Sequence, residues 1–202
     1  MSILNKNLII NQMVLNKSKD KSIVFIHGFY ANAGYWLPYL PFFKNYKIIL
    51  LDINYVYLLN SNDRISEITK VINSLNLGEN IKAILGHSLG TIISSFITKQ
   101  SVSFYFDICP VSYSKRSDTN GFISDIIDRM GETEVNIRKN LYLIDLLINE
   151  SKVFRLINSH LFLPDSDKYF NYEHSNNIEY SFQGDHFEIT NAVIKISNLL
   201  EE

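Results

Sequence analysis

At 202 residues the chain suits one domain and is long enough to bury a core. Its make-up is globular, 46% hydrophobic and 20% charged, and 19 Lys plus Arg against 21 Asp plus Glu leave no broad electrostatic footprint for nucleic acid or an anionic membrane. A single cysteine, Cys109, excludes an internal disulfide framework.

Residues 1–15 are apolar but broken by Asn5, Lys6, Asn7, Asn11 and Gln12. They lack the unbroken apolar core of a signal peptide, and no stretch is long enough to span a bilayer, so a cytoplasmic protein is expected. A strand is expected over 8–15. A stronger one covers 22–26, where Ile23, Val24, Phe25 and Ile26 run together and end at His27-Gly28. A third covers 46–53. The spacing of Ile65, Ile68, Val71, Ile72 and Leu75 predicts a helix over 64–75. Strands follow at 81–85 and 102–109. Between them lies an apolar stripe at helical spacing: Leu89, Ile92, Ile93, Phe96 and Ile97. Continuous apolar strands alternating with amphipathic helices imply a parallel sheet covered on both faces.

The pattern changes over about 112–156. Helices are predicted at 122–130, through Phe122, Ile126, Ile127 and Met130, and at 137–148, through Ile137, Leu141, Ile144 and Ile148. No strong strand intervenes, so this segment reads as a helical insertion. Short strands at 159–163 and 178–182 precede a closing helix over 188–200, with Ile189, Val193, Ile196 and Leu200 on one face. No internal repeat or linker marks a second domain, and a single domain over 1–202 is expected.

The sharpest motif is Gly86-His87-Ser88-Leu89-Gly90, a G-x-S-x-G between a strand and a helix. Glycines flank the serine because a larger side chain would strike the neighbouring strand or helix. The bend lifts the Ser88 hydroxyl above the sheet edge, and an amide at the helix start points into the same space. A serine hydroxyl is a poor nucleophile at neutral pH. It needs a base, and a carboxylate that orients the base and stabilises its charged form. Of the five histidines, His186 is the best placed, between the last strand and the closing helix. Sites of open α/β sheets gather at that carboxyl edge.

The acid belongs after the preceding strand, where Leu163-Pro164-Asp165-Ser166-Asp167 supplies two aspartates. Asp167 is preferred, because its position resembles a G-x-x-D turn with Pro164 in the glycine's place. Asp165 is a close alternative, and each also suits a plain turn-forming role. Asp107 is a minor rival, better suited to local hydrogen bonding within its apolar strand. His27 reads as a structural tie for its loop, His87 as support for the serine turn, and Trp36 as packing. Phe122, Tyr142, Phe154 and Phe162 read mainly as core. His160 and His174 carry no assigned role. The histidines and the cysteine show no zinc-like spacing, and neither metal nor cofactor is expected. Lys115, Arg116, Arg138, Lys139, Lys152 and Arg155 offer a docking face for an acidic carrier protein, but interspersed acidic residues make a mixed-charge surface the simpler account.

With these pieces in order, the chain from about Ser22 onward resembles the α/β-hydrolase superfamily. Val24-Phe25-Ile26-His27-Gly28-Phe29 with the later Trp36 is similar to its strand and oxyanion loop. Gly86-His87-Ser88-Leu89-Gly90 is similar to its nucleophile elbow, and Gly184-Asp185-His186-Phe187 to its histidine loop. The resemblance implies an α/β-hydrolase fold: a mostly parallel central sheet flanked by helices, with a short helical cap over about 112–156. It also implies an oxyanion hole from the backbone N–H groups of Phe29 and Leu89, and hydrolysis through an acyl-enzyme. Within the superfamily the chain most resembles small carboxylesterases such as the pimeloyl-[acyl-carrier-protein] methyl ester esterases of biotin synthesis. The Gly-Asp-His-Phe ending is similar to type II thioesterases. The implied substrate is a small acyl ester, with a methyl ester carried on acyl carrier protein in view, or alternatively a carrier-bound thioester. The rival from another class is a non-catalytic binding or interaction protein on the same fold. Three departures stand out. Ile53-Asn54-Tyr55-Val56-Tyr57 replaces a Gly-rich loop, the short acid-to-histidine segment implies a missing helix, and the brief insertion implies a small cap over an open pocket.

Overall fold

A computed structural model describes residues 10–98, 102–154 and 158–201. Nine strands are present among them: β1 (Ile10–Leu15), β2 (Ser22–Ile26), β3 (Lys47–Ile53), β4 (Ile81–His87), β5 (Phe104–Ile108), β6 (Ser114–Arg116), β7 (His160–Pro164), β8 (Phe170–Tyr172) and β9 (Ile178–Phe182). Seven form one sheet in the order β1-β3-β2-β4-β5-β7-β9. Only β1 runs antiparallel to its neighbour; every other pairing is parallel. β6 and β8 form a separate antiparallel ribbon. The helices are α1 (Tyr55–Leu59), α2 (Arg64–Ser74), α3 (Gly90–Ser94), α4 (Thr119–Met130), α5 (Glu134–Glu150) and α6 (Thr190–Glu201).

The apolar runs serve two cores because side chains alternate across a pleated strand. Val24 and Ile26 of β2 join Ile49, Leu51 and Ile84 against Leu58, Ile68, Ile126, Ile137 and Ile144 of the helices on one face. Ile23 and Phe25 join Ile48, Leu50 and Leu85 on the other face, against Trp36, Phe43 and the α6 residues Val193, Ile196 and Leu200. Trp36 is fully buried, in the packing role expected of it.

The first strand is described from Ile10 onward; positions 8 and 9 of the expected span lie outside the described residues. Other expectations are corrected. The helix after the serine turn is only α3, although Ile97 remains buried beyond it. Ser94 and Ser95 turn their hydroxyls back onto the carbonyls of Thr91 and Ile92, at 2.7 and 2.6 Å, and such bonds compete with helix continuation. On α4 the buried stripe is Phe122, Ile123 and Ile126, while Met130 is 52% exposed. Tyr142 and Phe154 face solvent rather than the core. A 3-10 run over Ala33–Phe43 contains Pro38 and Pro41, which deny it a regular α-helical ladder. α1, β6 and β8 are too short to produce a readable period.

Candidate active site

Ser88 sits between β4 and α3 with φ +53, in the left-handed region that a side chain rarely adopts. Its N–H donates to the Ile108 carbonyl of β5 at 2.9 Å, which pins the turn to the sheet. The flanking glycines are required by close approach. A Cβ on Gly90 would lie 2.5 Å from the Ile26 carbonyl oxygen of β2, and one on Gly86 2.9 Å from Thr91 Cα of α3. The strand blocks one position and the helix the other.

The loop between β9 and α6 brings His186 over this serine. The imidazole Nε2 lies 2.9 Å from Ser88 Oγ and Nδ1 lies 3.1 Å from Asp167 Oδ2. The ring is 3% exposed and stacks on Phe170 at 4.5 Å between centroids. Asp167, in the loop after β7, has a side chain 1% exposed. Its Oδ1 accepts the N–H groups of Tyr169 and Phe170 at 2.9 and 3.1 Å, and its Oδ2 accepts the Tyr172 hydroxyl at 2.7 Å. Burial pushes the carboxyl up, but the His186 hydrogen bond and charge, together with Tyr172 and the Tyr169 amide, outweigh it and hold Asp167 below the usual carboxylate range. Asp165 makes no hydrogen bond to the imidazole. It is exposed and accepts the Gly184 N–H at 3.2 Å, which ties the turn after β7 to the base of the histidine loop. Between Asp167 and β9 the chain forms β8 and turns but no helix, as the short segment implied.

The other histidines have distinct places. His27 Nδ1–H donates to Gly28 O at 2.8 Å, Nε2 accepts the Ile53 N–H at 2.9 Å, and Tyr55 donates to the His27 carbonyl at 2.6 Å. Its expected structural role is what the structure gives it. His87 donates from Nε2 to the His186 carbonyl at 2.8 Å and stacks on Tyr35 at 4.9 Å. Burial, then the His186 charge, lowers its pKa to about 3, so it stays neutral and supports the histidine loop. His160 stacks on Tyr180, and His174 meets Glu179 at 3.1 Å. Asp107 is buried within β5 and accepts the Ser94 hydroxyl at 3.0 Å, the local hydrogen bonding expected of it.

Phe29 and Leu89 both border the cavity above Ser88. Leu89 is the N-cap of α3, so its N–H belongs to the first turn, where no intrahelical acceptor exists. The residue after Phe29, Tyr30, has φ +60, and its hydroxyl accepts Asn140 Nδ2 of α5 at 3.2 Å. The cavity holds about 410 Å³. Ser88 and His186 lie on one side, and Phe122, Ile126, Leu141 and Ile144 of α4 and α5 give it apolar walls. Arg116 of β6, paired with Asp145 of α5, adds a polar stretch.

Three of the cations considered for carrier docking are already paired: Lys115 with Glu173, Arg116 with Asp145, and Arg138 with Glu134. Arg155 lies outside the described residues. Among the described residues no cluster of His, Cys, Asp and Glu is arranged to hold a metal, and no helix is long and apolar enough to cross a membrane. Sequence reasoning missed Tyr172 and Tyr55. Tyr172 lies in a three-residue strand, and neither tyrosine carries a motif.

The sequence matches no protein-family model and no curated protein. Solved structures do match. A lipase-esterase related protein from Clostridium acetobutylicum is 14% identical, with a TM-score of 0.60 over 96% of this chain and 99% of that one. The NocB thioesterase domain, solved as a covalent complex with a fluorophosphonate nocardicin G analogue, is 10% identical, with a TM-score of 0.64 over 95% and 98%. A bromoperoxidase from Bacillus anthracis is 12% identical, with a TM-score of 0.61 over 95% and 94%. At such identities the likeness is one of architecture: the chain has the α/β-hydrolase fold.

Proposed function

We propose that the protein is a serine hydrolase of carboxylic esters or thioesters, with Ser88 as nucleophile, His186 as general base and acid, and Asp167 as the orienting carboxylate. The observation that carries this reading is the 2.9 Å approach of His186 Nε2 to Ser88 Oγ beside a largely apolar cavity, with Asp167 behind the ring. His186 takes the Ser88 proton as Oγ attacks the acyl carbonyl. Charge develops on the carbonyl oxygen, where the Phe29 and Leu89 amides stabilise it; one such donor is worth about 2.7–4 kcal/mol of barrier lowering in a serine protease. The tetrahedral intermediate collapses as His186 protonates the departing alcohol or thiol. Water, deprotonated by His186, then attacks the acyl-enzyme and releases the acid.

We take the chain as one domain in which α4 and α5 act as a small cap. Their apolar walls suit an acyl chain. The leading substrate is a small acyl ester, in the direction of a methyl ester carried on acyl carrier protein. The thioesterase alternative draws support from the thioesterase domains among the similar structures. A fluorophosphonate probe tests the common core: labelling is expected at Ser88 and lost in Ser88→Ala. An unlabelled native protein would favour a ligand-binding role. A panel of methyl esters and acyl thioesters, compared by kcat/KM, separates the two hydrolase readings.

A further inference from the structure

Tyr172 touches both members of the His186–Asp167 pair and has no part in the chemistry above. Its hydroxyl lies 2.7 Å from Asp167 Oδ2 and 3.3 Å from His186 Nδ1. The β6–β8 ribbon puts it there. Ser114 pairs with Tyr172 and Arg116 with Phe170, and the ribbon is held beyond both ends by Ser117 N–H to Tyr169 O and Glu173 N–H to Tyr113 O, each 2.8 Å. Alternate residues of a strand share a face, so Phe170 and Tyr172 both reach the imidazole, one by stacking and one by its hydroxyl.

We propose that Tyr172 is a positioning residue for the pair: its phenol donates to the carboxylate oxygen that faces the imidazole, and so fixes which ring nitrogen carries the proton. This rests on the hydrolase reading of Ser88 and His186. An ionised carboxylate only accepts, so the phenol proton lies on the short line to Oδ2. His186 must then supply its own proton from Nδ1 to that same oxygen, which leaves Nε2 bare toward Ser88. Were the phenol to donate to Nδ1 instead, the ring proton would sit on Nε2, and the ring could not accept from the serine. Burial, followed by the neighbouring Cys109 and Asp167, drives the phenol pKa far upward, so Tyr172 remains a donor.

The phenol also draws charge from the carboxylate and so weakens its hold on an imidazolium. Of the other titratable or charged groups around the pair, Cys109 also meets the Tyr172 hydroxyl and loses that contact when it is removed, while the rest are held by other partners. His87 at the end of β4 and Cys109 after β5 are kept neutral by burial. The Asp185 carboxylate accepts the Phe187 and Glu188 N–H groups. Tyr35 stacks on His87, Arg129 of α4 lies over the Phe187 ring, and Lys168 pairs with Asp125 beside Tyr169.

The experiment is ¹⁵N-histidine NMR of the full chain, read beside the pH profile of kcat/KM. Wild type is expected in the Nδ1–H form. Tyr172→Phe keeps the ring packing and should raise the His186 titration midpoint, and the acid limb of kcat/KM with it, by about one pH unit. Replacing Tyr172 with 3,5-difluorotyrosine, a stronger donor, should move both the other way. A Tyr172→Phe protein with native near-UV circular dichroism and an unmoved midpoint and tautomer overturns the proposal, even if its plateau rate falls. The NMR readout needs no turnover: a shifted midpoint in a protein that neither takes the fluorophosphonate nor cleaves esters would uphold Tyr172's role while removing the hydrolase reading.

Discussion

Two aspartates are removed from water in this fold, one in the middle of the sheet and one at its carboxyl edge, and they are driven in opposite directions. Asp107 of β5 is 5% exposed, and burial pushes its carboxyl up to about 7, against the opposing hydrogen bond from Ser94. The Ser94 hydroxyl is a divided partner: its single proton also serves the Thr91 carbonyl at 2.7 Å. Asp167 has a side chain 1% exposed yet is held below the ordinary range. Two backbone amides, a phenol and an imidazole all converge on it. Depth alone therefore does not decide the state of a buried carboxyl; the supply of donors does. Only the aspartate that stays ionised can orient and stabilise a histidine cation, which is why the edge position, not the sheet interior, suits the acid.

The largest test of this contrast is Asp167→Asn. It removes the charge and permits the wrong imidazole tautomer, and kcat is expected to fall about 10⁴-fold, the loss seen on the same change in a serine protease. Asp107→Asn should leave kcat within about threefold under the same assay, since Asp107 makes no contact with the imidazole. Equal losses in the two variants would break the comparison.

Stability should respond the other way round. A carboxyl whose folded pKa is raised binds its proton more tightly in the native state, so its stabilising effect is complete at low pH and declines as pH rises from about 4 to about 7. For Asp107 that decline is on the order of 3–4 kcal/mol. Urea unfolding of Asp107→Asn between those limits should lack this slope, and the variant should gain on wild type at pH 8. An unchanged slope would mean that Asp107 titrates normally. Asp167 has the opposite sign, and its contribution is lost as pH falls through its depressed folded value. The smallest effect is expected at the exposed neighbour Asp165, where Asp165→Ala should change kcat/KM less than about twofold.

The lines of inference from sequence held best where the physics was local. Four apolar residues in a row, as at Ile23 to Ile26 after Ser22, leave little choice but a strand covered on both faces. Gly86 and Gly90 announced the turn because each stands where a Cβ would strike backbone a few residues away or on the next strand. Short elements were lost. β6 and β8 hold three residues each, and with them went Tyr172 and the stacking partner Phe170. Met130 kept helical spacing with Phe122 and Ile126 yet faces solvent, because spacing fixes a face but not whether anything covers it.

What the residues alone determined was the serine turn, the parallel strands around it and the late histidine, since glycine sterics and unbroken apolar runs act within a few residues. Which aspartate meets the imidazole was decided only by the folded chain. Asp165 and Asp167 are two positions apart in one polar turn and have the same intrinsic chemistry. Donors supplied from Tyr169, Phe170, Tyr172 and His186 surround one of them, while the other is left in solvent to hold Gly184.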